Sequence, residues 1–313
     1  MLLLQLSRAL LLLLLTTSLT TAKLAWKDTK FLFTFGDSYT TDGNYLIGFN
    51  ISAGVDSPVP GFTSSNGQNW VQFLGGTYNV TDTKVFNLAS GGATIDAALV
   101  PPFLPTVLSI VDQVSQFKQF LAPKPLGAQW QSSNSLFAFW IGINDVGNSF
   151  GWTNITQPLF YAVLMNRLTT QLEELYDNGA RSFLFLTVPP TDRAPLFLQQ
   201  GPKVVAKLRP FVASYNQQLR TTVTRFQTRH KDINLATVFD TQPVFNALLD
   251  NAKTLGFSNS TGWCEAYENG TPQLTTQVPP CAPVSSYFWL NSLHPLFTVH
   301  NSLAHALSTT LSA

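Results

Sequence analysis

The chain has 313 residues, 45% hydrophobic and only 11% charged, with a formal net charge of +1. A soluble domain averages roughly 25% charged, so this composition excludes a disordered chain and points to a well-buried core. No Lys/Arg run stands out, which argues against a nucleic-acid partner, because such a surface needs a basic stripe to neutralise phosphates.

Residues 1–22 read as a secretory signal peptide. The apolar run 9–15 is too short to span a bilayer, small polar residues follow it, and Thr20 and Ala22 set small side chains at the −3 and −1 positions of a cleavage site. Arg8 is its lone charge. The remaining segment, 23–313, shows no linker, repeat or low-complexity tract and is expected to be one domain. It contains no apolar stretch long enough to cross a membrane, so no stable membrane insertion is expected. Secretion agrees with five Asn-x-Ser/Thr sequons, at Asn50, Asn79, Asn154, Asn259 and Asn269. It also agrees with two cysteines, Cys264 and Cys281, in one polar, Gly/Pro-rich segment. In an oxidising compartment these are expected to pair and close a loop, stabilising by about 3 kcal/mol. A zinc site would need more His or Cys ligands nearby, and no metal is expected.

Five short apolar runs follow in chain order, at 31–35, 84–89, 135–141, 181–188 and 233–239. Each is apolar on both alternating faces, the pattern of a parallel strand covered on both sides. Helical spacings lie between them. Val107, Ile110, Val111, Val114, Phe117 and Leu121 recur every three or four residues, as do Leu164, Leu168, Leu172 and Leu175. The segment 204–226 is long enough for several turns, with Pro210 a candidate kink. Leu303, Leu307 and Leu311 mark a last helix. Alternating strands and helices predict an open parallel sheet with helices on both faces. Segments 50–69 and 256–286 read as long polar loops.

In such sheets the ligand sits outside the carboxyl ends of the strands. Gly36-Asp37-Ser38 follows the first run, Ser90-Gly91-Gly92 the second and Gly142-Ile143-Asn144-Asp145 the third. Asn291-Ser292-Leu293-His294-Pro295 precedes the last helix. An acyl-transfer site needs a nucleophile, a base beside it and donors aimed at the oxyanion. Ser38 can attack and His294 can take its proton. The Ser38 and Gly91 N–H groups and the Asn144 amide can bind the developing charge. Glycine at 91 would let the backbone approach the substrate, though Gly92 competes for that register. His300 and His305 read as surface or packing residues, and His230 as part of a solvated helix end.

These blocks, in this order, resemble the GDSL or SGNH hydrolase family. Gly36-Asp37-Ser38 matches its first block with Tyr39 where the name has leucine, Gly91 the second, Gly142-Ile143-Asn144-Asp145 the third and His294-Pro295 the last. The resemblance covers nearly the whole mature chain. It implies a three-layer α/β/α sandwich with a five-stranded parallel sheet, and a secreted carboxylic ester hydrolase without a cofactor. One departure matters: where the family has Asp three residues before the histidine, this chain has Asn291. An amide oxygen can hold the imidazole tautomer but offers no countercharge. Either Asn291 or a backbone carbonyl orients His294, and the site is slower or silent as a result. Asp37 and Asp145 are expected to hydrogen-bond loop backbone.

Within the family, Phe35-Gly36-Asp37-Ser38-Tyr39-Thr40, Asn66-Gly67-Gln68-Asn69-Trp70-Val71 and Asn291-Ser292-Leu293-His294-Pro295 look most like fungal secreted acetyl esterases of carbohydrate esterase family sixteen. That likeness implies an acetylated oligosaccharide, or another small ester, as substrate of a monomer. Trp70 either stacks on a sugar face or packs in the core, and residues 39–45 are placed to line a cleft. Two alternatives stand: a lipase or phospholipase on the same scaffold, and a non-catalytic carbohydrate-binding protein.

Overall fold

The computed structural model describes residues 24–43 and 63–313. The predicted signal peptide, the Asn50 sequon and residues 44–45 of the expected cleft lie outside the described residues. In chain order the main elements are β1 (Phe31–Gly36), α1 (Trp70–Gln72), β2 (Lys84–Asn87), α2 (Ile110–Gln116), β3 (Ser135–Trp140) and α3 (Ile143–Ser149). Then come α4 (Gln157–Asp177), β4 (Ser182–Leu186), α5 (Pro195–Leu198), α6 (Pro202–Arg229), β5 (Leu235–Phe239), α7 (Thr241–Asp250) and α8 (Phe297–Ser312). The five strands form one parallel sheet in the order β2-β1-β3-β4-β5. The chain leaves β1 toward one edge and returns on its other side as β3. The carboxyl ends of β1 and β3 are therefore the topological switch point where such sheets bind ligands.

β1, β3 and β4 are buried along their whole length, which is why they read as unbroken apolar runs. The edge strands differ. β5 is only partly buried throughout and β2 is buried only in its second half, so the expectation of cover on both sides fails at the edges. β2 also stops at Asn87, short of the expected 89. The Asn87 side chain there bonds Ala89 N–H and the Thr40 carbonyl, while Leu88 and Ser90 N–H still donate to the Thr34 and Gly36 carbonyls of β1.

On one face Phe33 packs between Phe86 and Phe137, with ring centroids 5.3 and 4.9 Å away, and meets Phe117 edge-on at 5.2 Å. Phe35, Phe139 and Phe185 stack in a second row at 4.6 and 5.3 Å. α2, α4 and α6 cover this face. On the other face Trp140 meets Trp70 of α1, Phe245 of α7 and His300 of α8. The result is the expected three-layer α/β/α sandwich. α2 starts in a capping box, Ser109 with Asp112, and passes into a wider π-type turn, Phe117–Leu121. α6 runs through Pro210 without ending there. Ala206, whose carbonyl loses its partner, is exposed and open to water.

Cys264 and Cys281 are bonded, with Cα atoms 6.2 Å apart. The 256–286 segment is more than a loop: Tyr267, Val284 and Tyr287 form a small second core with Leu290 and Leu296, which flank His294. Of the described sequons Asn154 and Asn269 are exposed, while Asn79 and Asn259 are half-buried. Among the described residues no helix is long and apolar enough to cross a membrane. Phe33→Ala removes the ring at the centre of the aromatic row and should cost about 3–5 kcal/mol in urea unfolding; a loss below about 1 kcal/mol would show that this face is not the main core.

Candidate active site

β1 ends where only glycine fits. A Cβ on Gly36 would lie 2.4 Å from the Trp140 carbonyl oxygen and 2.8 Å from Thr40 Oγ1. The chain then turns, and the buried Asp37 carboxyl accepts from Tyr39 N–H at 3.0 Å. The Asp37 carbonyl accepts from the Thr40 and Thr41 N–H groups. Gln113 of α2 holds the start of the turn: its Oε1 accepts Gly36 N–H at 2.9 Å and its Nε2 donates to the Gly36 carbonyl at 2.8 Å. Asn69 and Asn87 both donate to the Thr40 carbonyl at 2.7 Å. Ser38 is the residue of this turn left half-exposed.

Ser38 Oγ lies 2.7 Å from His294 Nε2. On the other side of the ring, Asn291 Oδ1 meets His294 Nδ1 at 2.9 Å. That same oxygen accepts from the Leu293 and His294 N–H groups at 3.1 and 3.0 Å. Two backbone donors require an oxygen there, so Nδ1 carries the ring proton and Nε2 offers its lone pair to Ser38. Tyr39 joins the two segments. Its hydroxyl donates to the Leu293 carbonyl at 2.5 Å, and its ring lies 5.6 Å from the His294 ring. Leu196 N–H donates to the Ser292 carbonyl at 2.8 Å, a further tie on the histidine segment.

The Ser38 and Gly91 N–H groups have no acceptor among the described residues, and a Cβ on Gly91 would touch only Thr41 Cγ2, at 3.9 Å. Gly91 thus lies beside the serine turn. The positive φ of +84° belongs to Gly92, where a Cβ would strike Phe103. The glycine required by conformation is therefore Gly92, and Gly91 has room for a side chain. Asn144, second residue of α3, donates through Nδ2 to the Ala93 carbonyl at 2.9 Å, which leaves one amide hydrogen uncommitted. Asp145 accepts Ile95 N–H at 3.0 Å. Asp37 and Asp145 thus both bond loop backbone, as expected.

Burial dominates the electrostatics. Desolvation lowers the His294 pKa from 6.5 to about 4 and that of His300 from 6.5 to about 3. Both folded values lie below the unfolded one, so the stability from keeping these rings neutral is present above pH 6.5 and lost as pH falls through them. Desolvation raises Asp37 and Asp145 from 3.8 to about 7. Their contribution has the opposite sign: it is full below about pH 4 and lost as pH rises through 7.

Trp70 is a correction. It is 0% exposed, its Nε1 donates to Thr40 Oγ1 at 3.2 Å and its ring packs on Trp140, so its indole supports the serine turn from inside and presents no face to a sugar. His300 is a buried packing residue whose Nδ1 accepts Trp70 N–H at 3.3 Å. His230 departs from the solvated reading, since it is half-buried and its Nε2 lies 2.7 Å from Glu173. Gln113 escaped the sequence reading, although a polar residue inside the apolar stripe of Ile110, Val114 and Phe117 was a visible signal.

A five-stranded α/β/α sheet with a serine–histidine contact at its switch point has the layout of an acyl-transfer hydrolase. Residues 32–306 match the family of GDSL-like lipases and acylhydrolases, and the chain belongs to that family. It is 37% identical to an acetylesterase of Thermothelomyces thermophilus over 90% of this chain and 87% of that one. It is 29% identical to an acetylesterase of Hypocrea jecorina over 51% and 48%. Among solved structures, an acetylxylan esterase from Geobacillus stearothermophilus superposes with a TM-score of 0.52, covering 92% of this chain and 97% of that one at 15% identity; at that identity the likeness is one of fold. The protein is a carboxylic ester hydrolase.

Gln113→Leu strips Gly36 N–H of its acceptor and the Leu108 carbonyl of a donor, while the Gly36 carbonyl keeps Ser90 N–H. A buried backbone group left unpaired costs about 1–3 kcal/mol, so chemical denaturation should show a loss in that range. An unchanged midpoint would mean that the turn holds without this clamp.

Proposed function

We propose that the protein is a secreted serine esterase that removes acetyl groups from carbohydrate, working through an acyl-Ser38 intermediate. The observation that carries this reading is the 2.7 Å contact of Ser38 Oγ with an imidazole nitrogen whose lone pair is free to accept. Ser38 Oγ attacks the ester carbonyl and passes its proton to His294 Nε2. The Ser38 and Gly91 N–H groups and the second hydrogen of the Asn144 amide stabilise the oxyanion. His294 then gives the proton to the departing alcohol oxygen, and acetyl remains on Ser38. Water attacks the acyl-enzyme, His294 takes its proton, and acetate leaves as Ser38 recovers a proton. Asn291 holds the tautomer throughout, as Asn does in Cys-His-Asn sites.

The acetyl preference is drawn from the two acetylesterase relatives; the carbohydrate substrate rests on the resemblance of residues 35–40, 66–71 and 291–295 to fungal carbohydrate esterases. Secretion is supported by the signal-like start and by the disulfide, with glycan expected first at the exposed Asn154 and Asn269.

Acetate release from acetylated xylo-oligosaccharides, wild type beside Ser38→Ala, tests the reading directly. Turnover should be confined to the wild type, and turnover by Ser38→Ala would remove Ser38 as nucleophile. His294→Ala should cost more than Asn291→Ala, because a ring packed beside Tyr39 keeps part of its orientation; equal losses would make Asn291 indispensable. The acid limb of kcat/KM should fall near pH 4, since the base is disabled only when His294 is protonated. Asn291→Asp adds a negative charge beside the ring, which favours imidazolium and should move that limb upward. A wild-type limb near pH 6.5, or no upward movement in Asn291→Asp, would contradict this account of the base.

A further inference from the structure

Residues 101–106 read Pro-Pro-Phe-Leu-Pro-Thr and form an uncharged loop beside the Gly91 segment. Both of its ends are tied to that segment. Thr94 Oγ1 donates to the Val100 carbonyl at 2.8 Å, and Leu108 N–H donates to Ser90 Oγ at 3.2 Å. Val107 N–H closes the tip on the Leu104 carbonyl. Three prolines stiffen what lies between. At the tip Phe103 is 72% exposed. The Cδ1–Cε1 edge of its ring faces the Gly92 backbone, 2.6 and 2.2 Å from where a Cβ on that residue would sit.

Apolar side chains scattered over a surface need no explanation. Phe103 differs in two respects: the loop that carries it is stiff and anchored at both ends, and it stands one residue beyond Gly91. An aromatic ring fixed open to water at that place is preorganised for something that enters with the substrate. An acetyl group ends at its methyl, so an apolar surface beside the site has the alcohol half of the ester to meet. Sugar rings present a face of C–H groups, which pack against an aromatic π face.

We propose that Phe103 is the stacking platform for the sugar ring on the alcohol side of the ester, a role the buried Trp70 cannot fill. The inference rests on the carbohydrate esterase reading above. Its test compares wild type, Phe103→Ala and Phe103→Trp on acetylated xylo-oligosaccharides, on ethyl acetate, whose alcohol has no ring to stack, and on ethyl octanoate, which lengthens only the acyl chain. Phe103→Ala should raise KM on the oligosaccharide about fivefold, with kcat/KM on ethyl acetate and the melting temperature unchanged. Phe103→Trp should restore KM. An unchanged oligosaccharide KM in Phe103→Ala overturns the platform while leaving the esterase reading intact. So does an equal loss on both esters, which would make Phe103 a prop for Gly92. A loss confined to ethyl octanoate would move the contact to the acyl side and likewise overturn the proposal. Wild type active on ethyl acetate but not on the oligosaccharide would bring down the carbohydrate reading, and the platform with it.

Discussion

The backbone of the turn after β1 is held before its side chains do anything. Gln113 takes both polar groups of Gly36, the Asp37 carboxyl takes Tyr39 N–H, and Asn69 and Asn87 share the Thr40 carbonyl. The amide partners come from α2, from the cap of α1 and from the end of β2, so three elements converge on the five residues 36–40. Buried backbone groups have to be paired, and here, Asp37 apart, the pairing is done by side-chain amides that carry no charge. The serine is left free because its neighbours are not.

The same economy of charge runs through the rest of the site. An amide orients the imidazole, burial keeps His294 and His300 neutral to low pH, and burial pushes Asp37 and Asp145 toward their protonated forms. A carboxylate in place of Asn291 would stabilise the imidazolium; the amide supports the neutral ring alone. The geometry of a triad is thereby kept, and its electrostatics are changed.

The histidine segment is positioned from outside the sheet. The disulfide-closed second core packs Leu290 and Leu296 on either side of it, and the Tyr39 hydroxyl fastens it to the serine turn. A leucine after the serine could not make that bond. Tyr39 therefore adds a link between the Ser38 turn and the His294 segment at the place where this chain departs from the family's name.

Much of this was legible in the residues. A strand covered on both faces must be apolar at every position, so β1, β3 and β4 announced themselves, and polar blocks after such runs marked the ligand end of the sheet. The replacement of Asp by Asn291 was equally plain, because it lies three residues from His294. What the sequence left undecided were matters of partnership. Gln113 showed as a polar residue in an apolar stripe, but its partner lies 77 positions away. Trp70 reads the same whether it faces a sugar or Thr40, Gly91 and Gly92 differ only in a backbone angle, and Phe103 looks like any core phenylalanine. Local pattern records which side of an element avoids water. Which distant group stands on that side is decided when the layers pack, and only the tertiary structure contains it.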